Sequence, residues 1–334
     1  MTAPLLRVEN LGKTFDSGAR WLSSRGKAGV RAVDDVSFTL AHGETLAVVG
    51  ESGCGKSTLG RLLLRLVEPT QGQVFFEGRD LGALTARDMR DVRRHAQMVF
   101  QDPYGSLSPR RTVAQIVSEP LEIFAPATSR DAMRARVAEL LIQVGLPAAA
   151  MDRHPRSFSG GQRQRIGIAR AIAAGPRFIV ADEPVSALDV SVQAQIVNLL
   201  QDLQAEKGFS MLFIAHDLAV VRHIADRVMV MYLGRVVEIG DKRQVYAAPH
   251  HPYTQALLSA VPRPDPDAPR RRIVLEGDVP SPTRVPPGCS FHTRCPLVQS
   301  VCRVERPALR DVAPGQKAAC HFAVPNPIGV ASLF

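Results

Sequence analysis

The fold is decided by the stretch Gly50-Glu51-Ser52-Gly53-Cys54-Gly55-Lys56-Ser57, which fits the pattern G-x-x-x-x-G-K-[S/T]. It lies between an apolar run from Thr45 to Val49, typical of a buried strand, and a helical pattern from Lys56 to Val67. A glycine-rich strand-to-helix turn without a ligand is the alternative. In this context, however, the glycines let backbone N–H groups converge on phosphate oxygens, so the stretch predicts a site for a nucleoside triphosphate.

The side chains of this loop have expected tasks. Lys56 reaches the β and γ phosphates, and the hydroxyl of Ser57 ligates Mg²⁺. Cys54 is interpreted as a tolerated small residue rather than as a redox thiol. The predicted nucleotide contacts of the loop and helix start are Gly50, Ser52, Gly53, Cys54, Gly55, Lys56, Ser57 and Thr58.

A second apolar strand pattern, Phe178 to Ala181, ends in Asp182 and Glu183. Two acids after a strand are a weak signal alone, because strands often end in a solvated carboxylate. Beside a phosphate-binding loop, Asp182 is placed to hold Mg²⁺ and Glu183 to polarise the attacking water. The two segments together predict hydrolysis of ATP with Mg²⁺.

The composition is that of a globular chain. Of 334 residues, 45% are hydrophobic and 22% are charged, which excludes a disordered chain. The net charge of +9 would suit an anionic partner, but it is spread along the chain. The start, Met1 to Glu9, lacks a signal-peptide pattern, and no apolar run reaches the ~18 residues of a membrane span. We therefore expect a reducing compartment and at most a peripheral membrane role.

Strand and helix patterns alternate along the chain, which predicts an α/β fold with a mostly parallel sheet and helices on both faces. A loop insertion is expected from Asp16 to Val30. The remaining predicted strands are Leu5 to Val8, Ala32 to Leu40 and Met211 to Ala215, with a hairpin at Leu233 and Gly234, and the remaining predicted helices are Ala127 to Gly145, Ser159 to Ala174, Val192 to Glu206 and Leu218 to Ala225. Eight prolines between residues 262 and 287 indicate a stiff linker. The predicted domains are therefore 1–258 and a small appended domain, 259–334.

The segment Ser157-Phe158-Ser159-Gly160-Gly161-Gln162-Arg163-Gln164-Arg165 opens a helix, where backbone N–H groups can meet a γ-phosphate. An ordinary N-capped helix is the alternative. The segment resembles the signature motif of ABC ATPases. The resemblance implies that Ser159, Gly160, Gly161 and Gln162 contact nucleotide.

Four further positions match that family in order and spacing. Gln101, in Val99-Phe100-Gln101-Asp102-Pro103, is similar to the Q-loop glutamine that contacts Mg²⁺ and water. Ser186-Ala187-Leu188-Asp189 resembles the D-loop, and His216 resembles the switch histidine that stabilises the γ-phosphate. Phe15 stands where the family has an aromatic that stacks on adenine, although a core phenylalanine is the alternative. The resemblance implies Glu183, His216 and Gln101 as catalytic residues, Asp189 as a further nucleotide contact, and Ser57, Gln101 and Asp182 as Mg²⁺ ligands.

Membership of this family would imply a P-loop NTPase cassette with an antiparallel β subdomain and a helical subdomain at about residues 102–165. In such cassettes the signature of one copy faces the phosphate-binding loop of another, and ATP is buried between them. The chain carries one of each motif, so the resemblance implies a dimer that closes on ATP and reopens after hydrolysis.

Three segments are similar to the oligopeptide, dipeptide and nickel importer family, closest to the F-type ATPase subunit of bacterial dipeptide permeases. They are Gln101 to Arg110, His251 to Leu258 and the cysteine-rich tail. The resemblance implies a peptide-import ATPase at the cytoplasmic face of the inner membrane. Its partners would be a second ATPase subunit, in a heterodimer or a homodimer, two permease subunits and, indirectly, an extracytoplasmic peptide-binding protein. A nickel or haem importer remains an alternative cargo class.

Four cysteines, Cys289, Cys295, Cys302 and Cys320, lie close to the C-terminus. In a reducing compartment a metal or cluster site is favoured over disulfides. Four thiolates can hold a [4Fe–4S] cluster, which some members of this family carry in the tail, or Zn²⁺, although the C-x-x-C pairs of most zinc sites are missing. Free thiols remain the third alternative, and His292 and His321 are interpreted as bystanders.

A different function class is a soluble ABC ATPase that acts on ribosomes or DNA, in keeping with the basic charge. Such proteins usually carry two cassettes or a long coiled-coil insertion, and neither is found here. The sequence therefore favours the transport motor, with no nucleic-acid partner.

Overall fold

The computed structural model describes residues 3–16, 29–261 and 272–323. These residues fall into two compact units, which are described one at a time. The first unit lies within Met1–Leu5, Leu40–Thr45 and Phe76–Ala215, and the second within Leu6–Thr39, Leu46–Phe75 and His216–Phe334. Most of the predicted insertion, residues 17–28, lies outside the described residues.

The strands of the described ranges are β1 Leu6–Phe15, β2 Val30–Leu40, β3 Thr45–Val49, β4 Gln71–Phe76, β5 Arg79–Asp80, β6 Ala96–Val99, β7 Phe178–Asp182, β8 Ser210–Ile214, β9 Arg227–Tyr232, β10 Arg235–Asp241, β11 Arg310–Ala313 and β12 Gln316–Ala318. The helices are α1 Lys56–Leu63, α2 Ala86–His95, α3 Val113–Phe124, α4 Arg130–Gln143, α5 Gly160–Ala173, α6 Val190–Lys207, α7 Leu218–Ile224, α8 Lys242–Ala247, α9 Pro252–Ser259 and α10 Ser300–Val304. Within residues 3–16, 29–261 and 272–323, no helix combines the length and the apolar character that a bilayer crossing needs.

The first unit is built on three parallel strands in the order β6, β7, β8. Every residue of β7 and β8 is buried, which is why both strands are continuous apolar runs in the sequence. Helix α5 packs against α3 and α4 and buries Ile166, Ile168 and Ile172. The acids that end β7 and the start of α5 thus stand on rigid, buried elements.

The second unit contains β3 and β9 as a parallel pair, with β10, β12 and β11 added in antiparallel order. The turn between β9 and β10 consists of Leu233 and Gly234, both with positive φ (46° and 81°). Two successive positive φ values form the type I′ turn that suits the twist of a hairpin, so the predicted hairpin is confirmed. In another sheet of this unit, β1 lies between β2 and β4.

Two predicted boundaries were wrong. Helix α1 ends at Leu63 rather than at Val67, because Arg65 takes a left-handed conformation (φ 47°) that a helix cannot continue through. Strand β1 continues to Phe15 rather than ending at Val8, because its polar second half still pairs with neighbouring strands. The strand at Thr45–Val49 is confirmed, and the helices predicted near Arg130, Gly160, Val190 and Leu218 exist with ends shifted by at most three residues.

The tail is joined to the second unit through β12, whose Ala318 pairs with Glu238 of β10. Glu238 is fully buried, and burial raises the pKa of its carboxyl group. Its oxygens accept hydrogen bonds from the backbone of His250 (2.8 Å) and His251 (2.9 Å) and from the side-chain amide of Gln316 (2.8 Å). The small appended Cys-rich domain predicted for residues 259–334 is therefore not confirmed, since its strands β11 and β12 extend the sheet of β9 and β10.

Candidate functional site

The phosphate-binding loop connects β3 to α1 within the second unit. Its three glycines, Gly50, Gly53 and Gly55, all have positive φ (151°, 78° and 105°). A Cβ atom on Gly50 would collide with the carbonyl oxygen of Met231, and one on Gly55 with that of Ala32. Both conformation and space therefore require glycine at Gly50 and Gly55, and conformation alone favours it at Gly53, as the loop pattern predicts.

The ammonium group of Lys56 lies folded into the loop. The side chain is only 4% exposed, and Nζ donates hydrogen bonds to the carbonyl oxygens of Gly50 (2.7 Å) and Glu51 (3.1 Å). The N-cap residue of α1 is Gly55, which has no side chain to cap the helix, and the first turn contains no acidic residue. A buried cation at an uncapped helix start is a suitable environment for phosphate oxygens.

Ser57 and Thr58 follow Lys56 in the first turn of α1 and are half-buried, whereas Ser52 is exposed. Cys54 is buried, and burial raises the pKa of its thiol. A protonated, buried thiol is a poor nucleophile, which agrees with its interpretation as a small packing residue.

In the first unit, Glu183 follows Asp182 at the end of β7 in a left-handed conformation, φ 44°. This conformation is rare for a residue other than glycine and costs about 1–3 kcal/mol, so neighbouring contacts must hold it. The Glu183 amide donates to the carbonyl of Ile214 (3.0 Å), and its own carbonyl accepts from the Ser186 hydroxyl (3.1 Å).

Gln101 lies beside that carboxylate. Its side-chain amide donates a hydrogen bond of 2.8 Å to Glu183 Oε2. Asp182 is 2% exposed as the last residue of β7. The fold thus brings Gln101 next to Glu183, which is 82 positions away in the sequence. Together with Asp182, these are the residues that the sequence predicts as contacts of water and Mg²⁺.

The signature segment starts α5 with a capping box. The Ser159 hydroxyl accepts from the amide of Gln162 (3.3 Å), and the Gln162 side chain accepts from the amide of Ser159 (3.0 Å). A Cβ on Gly161 would lie 2.5 Å from Cγ1 of Val192, and one on Gly160 would lie 3.3 Å from Cδ2 of Leu188. Gly160 therefore allows the signature to pack directly against Leu188 of the segment that resembles the D-loop, and Gly161 allows it to pack against Val192 of α6.

Asp189, the last residue of that segment, is the N-cap of α6 and makes no side-chain cap hydrogen bond. His216, in the second unit, is exposed and precedes Asp217, which caps α7 by accepting from the amide of Ala219 (2.7 Å).

Phe15 is 40% exposed, and the ammonium of Lys13 lies 5.2 Å from its ring centroid. The core alternative for Phe15 was wrong, because an aromatic ring at the end of β1 stays open to solvent.

The four tail cysteines line one small cavity in the second unit, together with Phe291 and His292. Burial raises the pKa of Cys295 to about 11 and also raises the pKa values of Cys289 and Cys320. However, no three His, Cys, Asp or Glu residues of the described ranges are grouped so that they could hold a metal ion. The predicted metal-binding site is not supported, since the thiols share a cavity without forming an ion-sized cage.

Both histidines near the cysteines have backbone partners. Nδ1 of His292 lies 2.8 Å from the carbonyl oxygen of Cys289, and Nε2 of His321 lies 3.0 Å from that of Glu305. These contacts agree with their interpretation as bystanders.

Sequence reasoning missed a set of contacts on the phosphate-binding loop. Arg294, from the tail, pairs with Glu51 through distances of 3.1 and 2.8 Å to its two carboxylate oxygens. The hydroxyl of Tyr253 accepts a hydrogen bond of 2.9 Å from the amide of Glu51. The sequence marks His251 to Leu258 only by its resemblance to the importer family. No pattern in the sequence singles out Arg294.

Two family models match the chain. Residues 33–186 match "ABC transporter", and residues 237–302 match "Oligopeptide/dipeptide transporter, C-terminal region". These matches cover the phosphate-binding loop, the signature and three of the four tail cysteines.

Individual proteins agree with the family models. A protein of Sinorhizobium fredii named as a probable peptide ABC transporter ATP-binding protein is 53% identical over 100% of this chain and 96% of its own length. The oligopeptide transport ATP-binding protein AppF of Bacillus subtilis is 53% identical over 90% of this chain and 92% of its own. Among solved structures, the ATP-binding cassette MJ0796, in a dimeric post-hydrolysis state bound to ADP and Pi, has a TM-score of 0.63 at 30% identity and covers 71% of this chain and 98% of its own.

Proposed function

Because the chain belongs to the ATP-binding subunits of peptide ABC transporters, we propose that it is the ATPase that drives peptide import across a membrane. It is an ABC-type ATPase with the mixed α/β cassette fold. The observation that carries the catalytic proposal is Glu183, held in a strained left-handed conformation with its carboxylate hydrogen-bonded to Gln101 at 2.8 Å. A positioned carboxylate at the end of a buried strand is what activation of water requires.

The residue roles follow from this proposal. Lys56 and the amides of the phosphate-binding loop bind the phosphates, with Ser57 and Asp182 as the groups that would hold Mg²⁺. Mg²⁺, when bound, would neutralise negative charge on the phosphates. Glu183 orients and polarises water, Gln101 orients Glu183, and His216, which is exposed, contacts the γ-phosphate.

ABC importer ATPases dimerise and work with membrane permease subunits. In this chain the signature and the D-loop segment pack together, through Gly160 and Leu188, as a surface that a partner's triphosphate could meet. The active pair is proposed to contain this chain and a sister ATPase, with two copies of this chain as the alternative. The membrane subunits and an extracytoplasmic binding protein would choose the peptide.

The domain division at residue 258 remains a proposal. It is supported by the proline-rich stretch that begins at Pro262 and opposed by the pairing of β12 with β10. Residues 102–165 are proposed as the helical subdomain, supported by the mutual packing of α3, α4 and α5.

Purification of the tagged chain from gently solubilised membranes tests the transport role. We expect two permease subunits and a second ATPase to be recovered at equal amounts, because the cassette must be held beneath a membrane channel to use its closing motion. A tagged cytosolic cassette of similar size is the control. Recovery of ribosomal proteins in place of permeases would contradict the proposal, and recovery of no second ATPase would identify the homodimer.

A [4Fe–4S] cluster is proposed as the occupant of the cysteine cavity, supported by the convergence of four thiols on it. A bound cluster would cross-link the tail through its four cysteines. Bound Zn²⁺ and free thiols are the alternative states of the cavity.

Chemical analysis decides between these occupants. The anaerobically purified chain is expected to contain about four irons and four sulfides. Cys302→Ser, at the most buried of the four, should remove most of both because a hydroxyl is a poor ligand for iron. Cys54→Ser, which changes a cysteine outside the cavity, is the matched control and should retain them. Zinc without sulfide, or no metal at all, would contradict the cluster.

A further inference from the structure

We infer that Arg294 is a positioning residue of the nucleotide site: it neutralises Glu51 and holds the phosphate-binding loop open for a triphosphate. The inference rests on the proposed function, since it concerns affinity for ATP. Arg294 and Glu51 have side chains that are 9% and 26% exposed, and they are 243 residues apart. One nitrogen, Nη1, lies within 3.1 Å of both carboxylate oxygens.

Glu51 carries its negative charge within the loop that is proposed to bind the phosphates. It follows the first glycine of the loop, and its carbonyl oxygen accepts a hydrogen bond of 3.1 Å from the Lys56 ammonium. A carboxylate in a loop that binds a polyanion raises the cost of binding unless a cation compensates it, and partial burial strengthens that repulsion. Arg294 supplies this cation from outside the loop, which leaves Lys56 for the phosphates.

The backbone of Glu51 is fixed independently of its charge. Its amide donates to the hydroxyl of Tyr253, a fully buried residue. The Tyr253 ring centroid lies 4.8 Å from that of Tyr232 and 5.4 Å from that of Phe291. Phe291 precedes Arg294 by three positions, so the same tail segment packs against the tyrosine and supplies the arginine.

This segment is a short structured turn between two tail cysteines. The amide of Cys289 donates to the carbonyl of Cys302 (2.9 Å), that of His292 to Cys289 (3.0 Å), and that of Arg294 to Phe291 (3.0 Å). Arg294 is therefore held by the backbone as well as by its ion pair. The tail, which carries none of the cassette motifs, contributes directly to the geometry of the phosphate-binding loop.

The test is binding of ATP to the full-length chain, measured by titration calorimetry without turnover. Arg294→Gln is expected to weaken binding by about tenfold, the size of a typical coupling between contacting charges. In a chain that also carries Glu51→Gln, the change Arg294→Gln should weaken ATP binding by at most about threefold, because no uncompensated charge is left. The loss should also shrink at high salt, which screens the partly exposed carboxylate of Glu51 from the phosphates.

Arg303→Gln is the matched control, since Arg303 also adjoins a tail cysteine but is exposed. It should leave affinity as it is. An equal loss from Arg294→Gln with either glutamate or glutamine at position 51 would show a merely structural role and overturn the inference. Wild-type affinity in Arg294→Gln would overturn it as well, whereas a wild-type chain that binds no ATP would overturn the proposed function instead.

Discussion

Glu183→Gln is expected to lower the steady-state rate of ATP hydrolysis by about 10²- to 10³-fold, the usual contribution of a general base, while ATP still binds. The glutamine side chain retains the shape of the carboxylate, so the left-handed backbone at residue 183 and its contacts with Ile214 and Ser186 should persist. What is lost is the charge that polarises water. The chain should therefore accumulate in an ATP-bound dimer.

Hydrolysis is measured as phosphate release, and dimerisation by size-exclusion chromatography with ATP. Glu206→Gln is the matched control, because Glu206 is an exposed glutamate on α6 of the same unit, and such surface changes usually have small effects. Hydrolysis by Glu183→Gln close to the wild-type rate would remove Glu183 from the role of base. A loss of ATP binding instead would mean that the carboxylate holds Mg²⁺ rather than water.

Lys56→Met should weaken ATP binding by about a hundredfold, or roughly 2.7 kcal/mol, the size of one or two hydrogen bonds to a charged group. Methionine retains the length of a side chain that is 4% exposed, so the loop should stay packed while the ammonium is removed. Since Lys56 rests on the carbonyls of Gly50 and Glu51, it must leave these weak partners to reach phosphate. The loss should therefore be larger for ATP than for AMP.

The measurement is equilibrium binding of ATP and AMP, with thermal unfolding as a check on the fold. Lys207→Met, on α6, is the matched control and should bind both nucleotides as the wild type does. If Lys56→Met were to bind ATP normally, the loop would not be the phosphate site, and the Arg294 proposal would lose its basis as well.

The two large effects belong to residues on different compact units, with Lys56 in the second and Glu183 in the first. Binding and hydrolysis are therefore proposed to depend on residues of separate elements, and either step can bias a conformational equilibrium. Arg294 adds the tail to this scheme. It makes the cysteine-rich segment a participant in binding rather than an appendage.

Short-range patterns in the sequence determined a large share of the result. The glycines from Gly50 to Gly55, the strand that ends at Asp182 and the cap at Ser159 each depend on residues only a few positions away. Such local features are set by backbone conformation and side-chain period, which a single sequence displays. They were sufficient to predict the α/β class, the loop and the family, and the site roles drawn from them remain proposals for experiment.

Contacts between residues that are far apart in the sequence are visible in the tertiary structure alone. Gln101 reaches Glu183 across 82 positions, and Arg294 reaches Glu51 across 243. It also joined β12 to β10 beside the buried Glu238, and it arranged four cysteines around one cavity without a cage for an ion. The physical reason is that an ion pair or a strand edge has no local signature, because its partner is chosen by how the whole chain folds.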